Sequence, residues 1–183
     1  MGAHVYRIGG VMISTITGGE TEIVRPYIDS IADPNYKKYN GYHTGVDLKA
    51  TSVYNLCPGT AVFVGEDATG QIVIVQHDIS HCVMYKELKS VAVSAGQFVD
   101  SAQLIGTVKS YVHVDYLTDG NTMWPVRVGS QTLYKHDPTD IIFNGYESFV
   151  NYADAITSST DIYVYDDELP PSVDHMLSNN RGE

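Results

Sequence analysis

Short apolar segments, each bounded by turn residues, recur through the middle of the chain and restrict the fold more than any other feature. They are Ala61–Gly65, Gln71–Gln76, Cys82–Lys86, Ser90–Val93, Gln103–Val108 and Tyr111–Tyr116. Runs of this length and spacing predict an all-β fold with a compact antiparallel core. Gln71–Val75 is apolar almost throughout, as expected of a central strand that is buried on both faces.

The segments on either side of this core are predicted to be less regular. Val5–Met12 and Glu22–Arg25 are strand-like and flank Gly18-Gly19, a tight-turn signal, so we expect a hairpin followed by an irregular loop over 26–40. Beyond the core we expect further elements: one strand within Met123–Tyr146, a short helix at Glu147–Ala155 and a strand at Ile162–Tyr165. The predicted division is an N-terminal hairpin and approach loop at 1–39, a β domain at 40–150 and an acidic C-terminal extension at 151–183.

Charge and cysteine content exclude several classes of function. The net charge is −11, from 22 acidic and 11 basic residues, which argues against nucleic acid or an anionic membrane as the main partner because both require a basic face. No apolar run approaches the roughly 18 residues of a membrane span, and the N-terminus has no signal-peptide pattern. We therefore expect a chain made as a soluble cytoplasmic protein. Cys57 and Cys82 lie in apolar surroundings and are predicted to be reduced, buried thiols, with a bridge between them left open.

Two histidine-containing segments can supply ligands to one metal ion. His43 and Asp47 lie in the segment Tyr42–Leu48, and His113 lies in the segment Tyr111–Asp115. Two imidazoles and one carboxylate leave a fourth position for water, which is the open arrangement of catalytic zinc sites. On a strand, Tyr111 and Asp115 would project from the same face as His113, whereas their neighbours would point into a core.

The order and spacing of several segments together resemble the lysostaphin/LytM family of zinc endopeptidases, which cut peptide cross-bridges in bacterial peptidoglycan. The resemblance covers about residues 40–118. The matching segments are His43-Thr44-Gly45-Val46-Asp47 (family H-x-G-x-D), Pro58–Val62, Gln71–His77, Met84–Leu88, Val93–Val99 with Gln103–Gly106, and Tyr111–Asp115 (family H-L-H-F-E). This resemblance implies a β core of the LytM/lysostaphin type, similar to a duplicated hybrid motif. It also implies one zinc ion per chain on His43, Asp47 and His113.

Two positions depart from the family pattern where its chemistry is carried out. The family has a histidine at the position of Glu87 and another at the position of Tyr111, and these histidines orient the attacking water and stabilise the oxyanion. Imidazole can donate and accept protons near pH 7, whereas Glu is normally an anion with no proton to give. The loop that forms one wall of the family's substrate groove is also shortened here to residues 107–110.

These departures favour a pseudoenzyme over an enzyme. We expect a degenerate peptidoglycan-peptidase-like domain that retains zinc and acts as a structural or cell-wall-binding subunit, for example of a bacteriophage tail at the bacterial cell wall. Its partners would be other protein subunits and peptidoglycan. The 14 tyrosines fit large wetted interfaces, or equally compositional drift.

Two other hypotheses remain open. In the first, the chain is a divergent zinc metalloendopeptidase in which Glu87 is the general base and Tyr111 the oxyanion stabiliser. In the second, it is an intracellular domain unrelated to cell walls.

Overall fold

The computed structural model describes residues 7–8, 11–29, 34–120, 124–144 and 165–166 of the chain. The described residues form sixteen strands, two 3-10 helices and one α-helix, which confirms the all-β prediction. The strands are β1 Arg7–Ile8, β2 Val11–Ser14, β3 Gly19–Glu20, β4 Ile23–Arg25, β5 Val46–Lys49, β6 Ser52–Tyr54, β7 Gly59–Asp67, β8 Gly70–Asp78, β9 His81–Leu88, β10 Ser90–Val91, β11 Phe98–Val99, β12 Leu104–Thr107, β13 Tyr111–Thr118, β14 Pro125–Val128, β15 Gln131–His136 and β16 Tyr165–Asp166. The 3-10 helices span Thr15–Thr17 and Pro34–Tyr39, and α1 spans Thr139–Asn144.

The main sheet has the strand order β11-β7-β8-β9-β13-β15-β14-β16, with β5 added beside β13 and β4 beside β5. Its neighbouring strands are antiparallel. Two three-stranded sheets, β1-β2-β3 and β10-β12-β6, lie outside it. The central position of β8 explains its composition, because Ile72, Val73, Ile74 and Val75 are all fully buried, as the apolar run predicts.

The main sheet carries a hydrophobic core on each face, since alternate residues of a strand point in opposite directions. Val73 and Val75 belong to one core, which is also packed by α1, and Ile72 and Ile74 belong to the other. The hairpin of β14 and β15 contributes Leu133 and other apolar residues to the second core. Burial of each such aliphatic side chain stabilises the fold by about 1.5–3 kcal/mol.

Strand β13 changes partners halfway along one of its edges. From Tyr111 to Val114 that edge pairs with β5, and from Tyr116 to Thr118 it pairs with β15. The opposite edge pairs with β9 from His113 onward. Asp115 therefore lies at the junction between two partner strands, immediately beyond His113.

The N-terminal prediction was wrong about strand pairing. The 3-10 turn at Thr15–Thr17 ends at Gly18 in a left-handed conformation and returns the chain as β3, so β2 pairs with β3. β4 then passes to β5 instead of closing a hairpin with the first segment. The loop expected over 26–40 contains the 3-10 helix Pro34–Tyr39.

Other predictions have mixed outcomes. Cys57 and Cys82 are free, buried thiols, as expected. The one strand predicted within 123–146 is instead the hairpin of β14 and β15, followed by α1. The helix predicted at 147–155 lies outside the described residues. None of the helices in the described ranges has the length and apolar character that a membrane crossing requires.

Candidate metal centre

Three side chains predicted as ligands converge on one point. His43 Nε2 lies 3.2 Å from Asp47 Oδ1 and 3.2 Å from His113 Nδ1, and the Asp47 and His113 atoms are 2.8 Å apart. Donors about 2.0–2.1 Å from a tetrahedral zinc are separated by about 3.3 Å, so the two edges at 3.2 Å match such an ion and the edge at 2.8 Å is about 0.5 Å shorter. All three residues are buried, and they are the only such cluster in the described part of the chain. We refer to His43, Asp47 and His113 as the triad.

The sheet register places two members of the triad opposite each other. His113 on β13 is the direct partner of Asp47 on β5, and Cβ atoms of such cross-strand partners lie about 4.5–5.5 Å apart. Arg25 on β4 adds a contact from the next strand, with Nε 4.0 Å from Asp47 Oδ2. Pairing of β5 with β13, rather than any local signal, therefore brings the two motifs together.

His43 is held by a loop on the other side. Its Nδ1 donates to the Pro26 carbonyl at 2.9 Å, and its backbone bonds to Asp29 and Ile28 at 2.9 and 2.8 Å. Donation from Nδ1 leaves the lone pair of Nε2 directed at the triad, which is how ligand histidines are usually oriented.

The position of Gly45, between His43 and Asp47, has no room for a side chain. A Cβ at this position would lie 2.4 Å from the Val114 carbonyl oxygen, 2.7 Å from His113 Nε2 and 2.8 Å from Asp115 Oδ1. Only glycine therefore lets the first motif approach β13 closely enough for the triad to form.

His113 is oriented from behind by Asp115. His113 Nε2 donates to Asp115 Oδ2 at 2.9 Å, so Nδ1 faces the triad. Asp115 is fully buried, and its second oxygen lies 3.6 Å from the ammonium of Lys135. The alternation of β13 predicts that Asp115 and His113 share a face, but the role of Lys135, some 20 residues further on, has no sequence signal.

The charges in the triad are strongly coupled. Burial acts to raise the pKa of Asp47, but its interactions with His113 and His43 outweigh it and lower the pKa to about 2. Burial acts to lower the pKa of His113, but the charge of Asp115 and hydrogen bonds to Asp115 and Asp47 raise it to about 9. Without a metal, the His113 imidazolium would thus supply the positive charge that two buried carboxylates require.

Tyr36 covers the triad, a feature that the sequence did not reveal. Its hydroxyl lies 3.3 Å from His113 Nδ1, and its ring meets the His43 ring edge-on at 5.1 Å. Tyr39 supports it at 6.2 Å and in turn contacts Trp124 at 6.4 Å. Burial and the nearby Asp115 and Asp47 raise the pKa of Tyr36 well above its usual value, so the hydroxyl stays neutral.

Glu87 and Tyr111, at the positions where the family has its other two histidines, lie close enough for each to shift the pKa of the other. Glu87 adopts a left-handed backbone conformation with φ of 63°, which non-glycine residues rarely adopt and which breaks the strand alternation. Burial raises the pKa of Glu87, and burial together with Glu87 raises the pKa of Tyr111 to about 12.

Two further histidines, His77 and His81, form hydrogen bonds with groups outside the triad. His77 donates from Nδ1 to the Pro58 carbonyl at 2.9 Å, and burial lowers its pKa to about 4. His81 pairs with Asp78 at 2.6 Å, at the opposite end of β9 from Glu87. Neither replaces a histidine missing from the site.

Comparison with known proteins agrees with this architecture. Residues 41–123 match the sequence model of Peptidase family M23. Among solved structures, LytU is 18% identical with a TM-score of 0.52, covering 68% of this chain and 86% of LytU. Lysostaphin in solution is 18% identical with a TM-score of 0.51, covering 86% of this chain and 58% of lysostaphin. The SpoIIQ–SpoIIIAH pore-forming complex contains a chain that is 21% identical with a TM-score of 0.51, covering 70% of this chain and 88% of that chain. No curated protein matches the sequence.

Proposed function

We propose that the LytM-type domain at residues 41–123 is non-catalytic, retains zinc on His43, Asp47 and His113, and serves as a subunit of a protein assembly. The observation that carries this proposal is that Glu87 and Tyr111, and not histidines, stand beside the triad. An active zinc peptidase needs groups beside the metal that can exchange protons with water and stabilise an oxyanion. Tyr111, with its pKa raised to about 12, keeps its proton near neutral pH, and neither side chain is an imidazole that donates and accepts protons there.

The neutral Tyr36 hydroxyl supports the same proposal. Its oxygen lies 3.3 Å from His113 Nδ1, its ring lies 5.1 Å from that of His43, and Tyr39 packs against it. A catalytic zinc site requires an open position for water. We expect Tyr36 to restrict the access of water and substrate to a metal held by the triad.

Zinc binding is supported by the donors and by the bonds behind them. Pro26 and Asp115 hold the outward ring nitrogens of His43 and His113, and such contacts are typical of metal-ligating histidines. A bound zinc would supply Lewis acidity and positive charge at the triad. In a non-catalytic domain that charge would stabilise the two buried carboxylates and tie β5, β13 and the loop around His43 together.

An assembly role is supported by the occurrence of the same fold in the SpoIIQ–SpoIIIAH pore-forming complex. The surrounding assembly would be a bacteriophage tail or a similar structure at the bacterial cell wall, with peptidoglycan as a second binding partner. The acidic charge of the chain favours proteins and peptidoglycan over nucleic acid as partners.

The test combines metal analysis with a peptidoglycan hydrolysis assay. We expect one zinc per chain and no release of cross-link peptides from peptidoglycan of several cross-bridge types, under conditions in which lysostaphin cleaves its own substrate. Sedimentation with purified peptidoglycan and sedimentation velocity would then separate a wall-binding role from self-assembly. Hydrolysis that is lost in both Glu87→Gln and His113→Ala would overturn the proposal and establish the divergent peptidase instead.

A further inference from the structure

Lys135 on β15 is a buried cation for which the LytM-type pattern gives no reason. Its side chain is 1% exposed, and a buried ammonium is costly unless it is paired and hydrogen-bonded. We propose that Lys135 is a positioning residue for the metal centre, because its ammonium joins the segment that carries His113 to the segment that carries His43. This inference rests on the zinc-binding part of the proposed function and is independent of whether the domain is catalytic.

On the His113 side, Lys135 acts through Asp115. The ammonium lies 3.6 Å from Asp115 Oδ1, while Oδ2 of the same carboxylate accepts a hydrogen bond from His113 Nε2 at 2.9 Å. Asp115 lies between the part of β13 that pairs with β5, ending at Val114, and the part that pairs with β15, starting at Tyr116. The ammonium from β15 therefore places a positive charge beside the carboxylate where one edge of β13 changes partners.

On the His43 side, Lys135 holds the loop through Thr44 and Tyr39. The ammonium donates to Thr44 Oγ1 at 3.0 Å, and Thr44 is fully buried beside His43. The Tyr39 ring lies 4.6 Å from the ammonium, a favourable cation–π distance. Tyr39 ends the 3-10 helix that also carries Tyr36. One cation thus contacts residues next to two ligands and the helix that covers them.

Lys86 provides a matched comparison on the neighbouring strand. It is 8% exposed and lies directly opposite His113 across β9 and β13. Its ammonium, however, forms an ion pair with Asp67 on β7 at 3.0 Å. Both lysines thus pair with a carboxylate, but only the carboxylate paired with Lys135 is bonded to a ligand histidine. The charge of Lys86 also lowers the pKa of Asp115, with a smaller effect than that of Lys135.

The first measurement is zinc affinity of the full chain, by competition with a chromophoric chelator. Lys135→Met is expected to weaken binding by about 10- to 100-fold, the usual effect of removing a group that orients a ligand. Lys86→Met is expected to lower the thermal stability of the metal-free protein comparably but to leave the affinity within about threefold. If Lys135→Met does not fold, Lys135→Gln, which keeps a donor for Thr44 without the charge, replaces it.

The second measurement tests whether Lys135 acts through Asp115. In a double-mutant cycle, Lys135→Met combined with Asp115→Asn is expected to weaken zinc binding by less than the two single losses added together, because both changes remove the same route through Asp115 and only the contact with Thr44 is lost in addition. The visible spectrum of the cobalt-substituted protein is expected to change in Lys135→Met and not in Lys86→Met. A purely structural role for Lys135 would give additive losses and unchanged spectra, and would overturn the inference.

The outcomes separate this inference from the proposed function. Equal zinc affinity of the wild-type chain and Lys135→Met would overturn the inference alone. Absence of any zinc or cobalt binding by the wild-type chain would overturn it together with the zinc-binding part of the proposed function. Peptidoglycan hydrolysis by the wild-type chain would overturn the non-catalytic proposal and leave the role of Lys135 intact.

Discussion

The triad and the Glu87–Tyr111 pair lie side by side, but their surroundings differ. Each triad histidine has its outward nitrogen fixed by an acceptor behind it, Pro26 for His43 and Asp115 for His113. For Glu87 and Tyr111, no hydrogen bond to an acceptor behind them is found among the described residues, and Glu87 Oε2, like Asp115 Oδ1, is buried without a hydrogen-bond partner there.

Metal binding and catalysis therefore have separate structural requirements in a zinc-peptidase fold. Binding requires three donors at the right distances and the contacts that orient them. Catalysis additionally requires neighbours that can donate and accept protons near neutral pH. A chain can lose the second set by two substitutions while the contacts that define the first set stay in place.

The largest expected effect comes from Gly45, the residue that lets the first motif approach β13. Gly45→Ala would place a methyl group within 2.4 Å of the Val114 carbonyl oxygen. We expect a loss of about 1–3 kcal/mol or more in unfolding free energy, as for other overpacked sites, together with loss of zinc binding. Denaturant unfolding and zinc titration measure both quantities.

Gly120→Ala is the control for this prediction. There an added Cβ would meet Thr118 Oγ1 at 3.2 Å in an exposed turn, away from the triad. It should leave zinc binding unchanged. Normal zinc affinity in Gly45→Ala would show that the triad tolerates displacement, and the contrast between the two regions would then lose its structural basis.

A change of pH is expected to have an intermediate effect on the stability of the metal-free fold. The effect comes from the buried ionisable groups of the triad. The His113 pKa is raised from 6.5 to about 9, so its contribution to the stability of the metal-free fold is complete below about pH 6.5 and is lost as pH rises through about 9. The Asp47 pKa is lowered from 3.8 to about 2, so its contribution is present above about pH 3.8 and is lost as pH falls through about 2.

Thermal unfolding with a chelator and with zinc checks this prediction. Metal-free protein should lose stability between about pH 6.5 and 9, whereas the stabilisation by zinc should grow over the same range because the metal displaces the His113 proton. Tyr111→Phe should show the same pH profile as the wild-type chain. A metal-free protein that gains stability over this range would contradict the assignment of His113 as a buried imidazolium.

The smallest effect is expected at the pair itself. Tyr111→Phe removes one partly exposed hydroxyl, so the unfolding free energy should fall by less than about 1.5 kcal/mol. Zinc affinity should stay within about threefold, or less than about 0.7 kcal/mol. Isothermal titration beside Asp115→Asn gives the direct comparison. A loss for Tyr111→Phe as large as that for Asp115→Asn would mean that the pair supports the metal after all.

Much of the fold and the membership of the candidate site could be predicted from sequence. The strand runs were recognised because burial on two faces leaves an apolar signature, as in Ile72–Val75, and because glycines mark their ends. The ligand candidates were recognised because the spacing of His43 and Asp47 is local, and because alternation on β13 fixes which side chains share the face of His113. The short strands β5 and β6 were missed, since runs of three or four residues carry little periodicity.

Several features of the site gave no such signal because they depend on contacts between distant segments. Tyr36 lies in a stretch with no periodicity, and its position over the triad follows from packing against Tyr39 and Trp124. Lys135 is one of seven lysines in the sequence, and its burial is decided where β15 pairs with β13. The left-handed conformation of Glu87 likewise follows from its neighbours in the sheet.

Residue identity and short-range spacing were enough to predict the all-β class, the candidate ligands, and Glu87 and Tyr111 at positions where the resembled family has histidines. Only the tertiary structure places Asp47 opposite His113 across β5 and β13, Tyr36 over the triad, and Lys135 between Asp115 and Thr44. Asp47 and His113 are 66 positions apart, and Lys135 lies 20 positions from Asp115 and 91 from Thr44. A hydrogen bond or an ion pair of about 3 Å acts only once folding has brought its partners together.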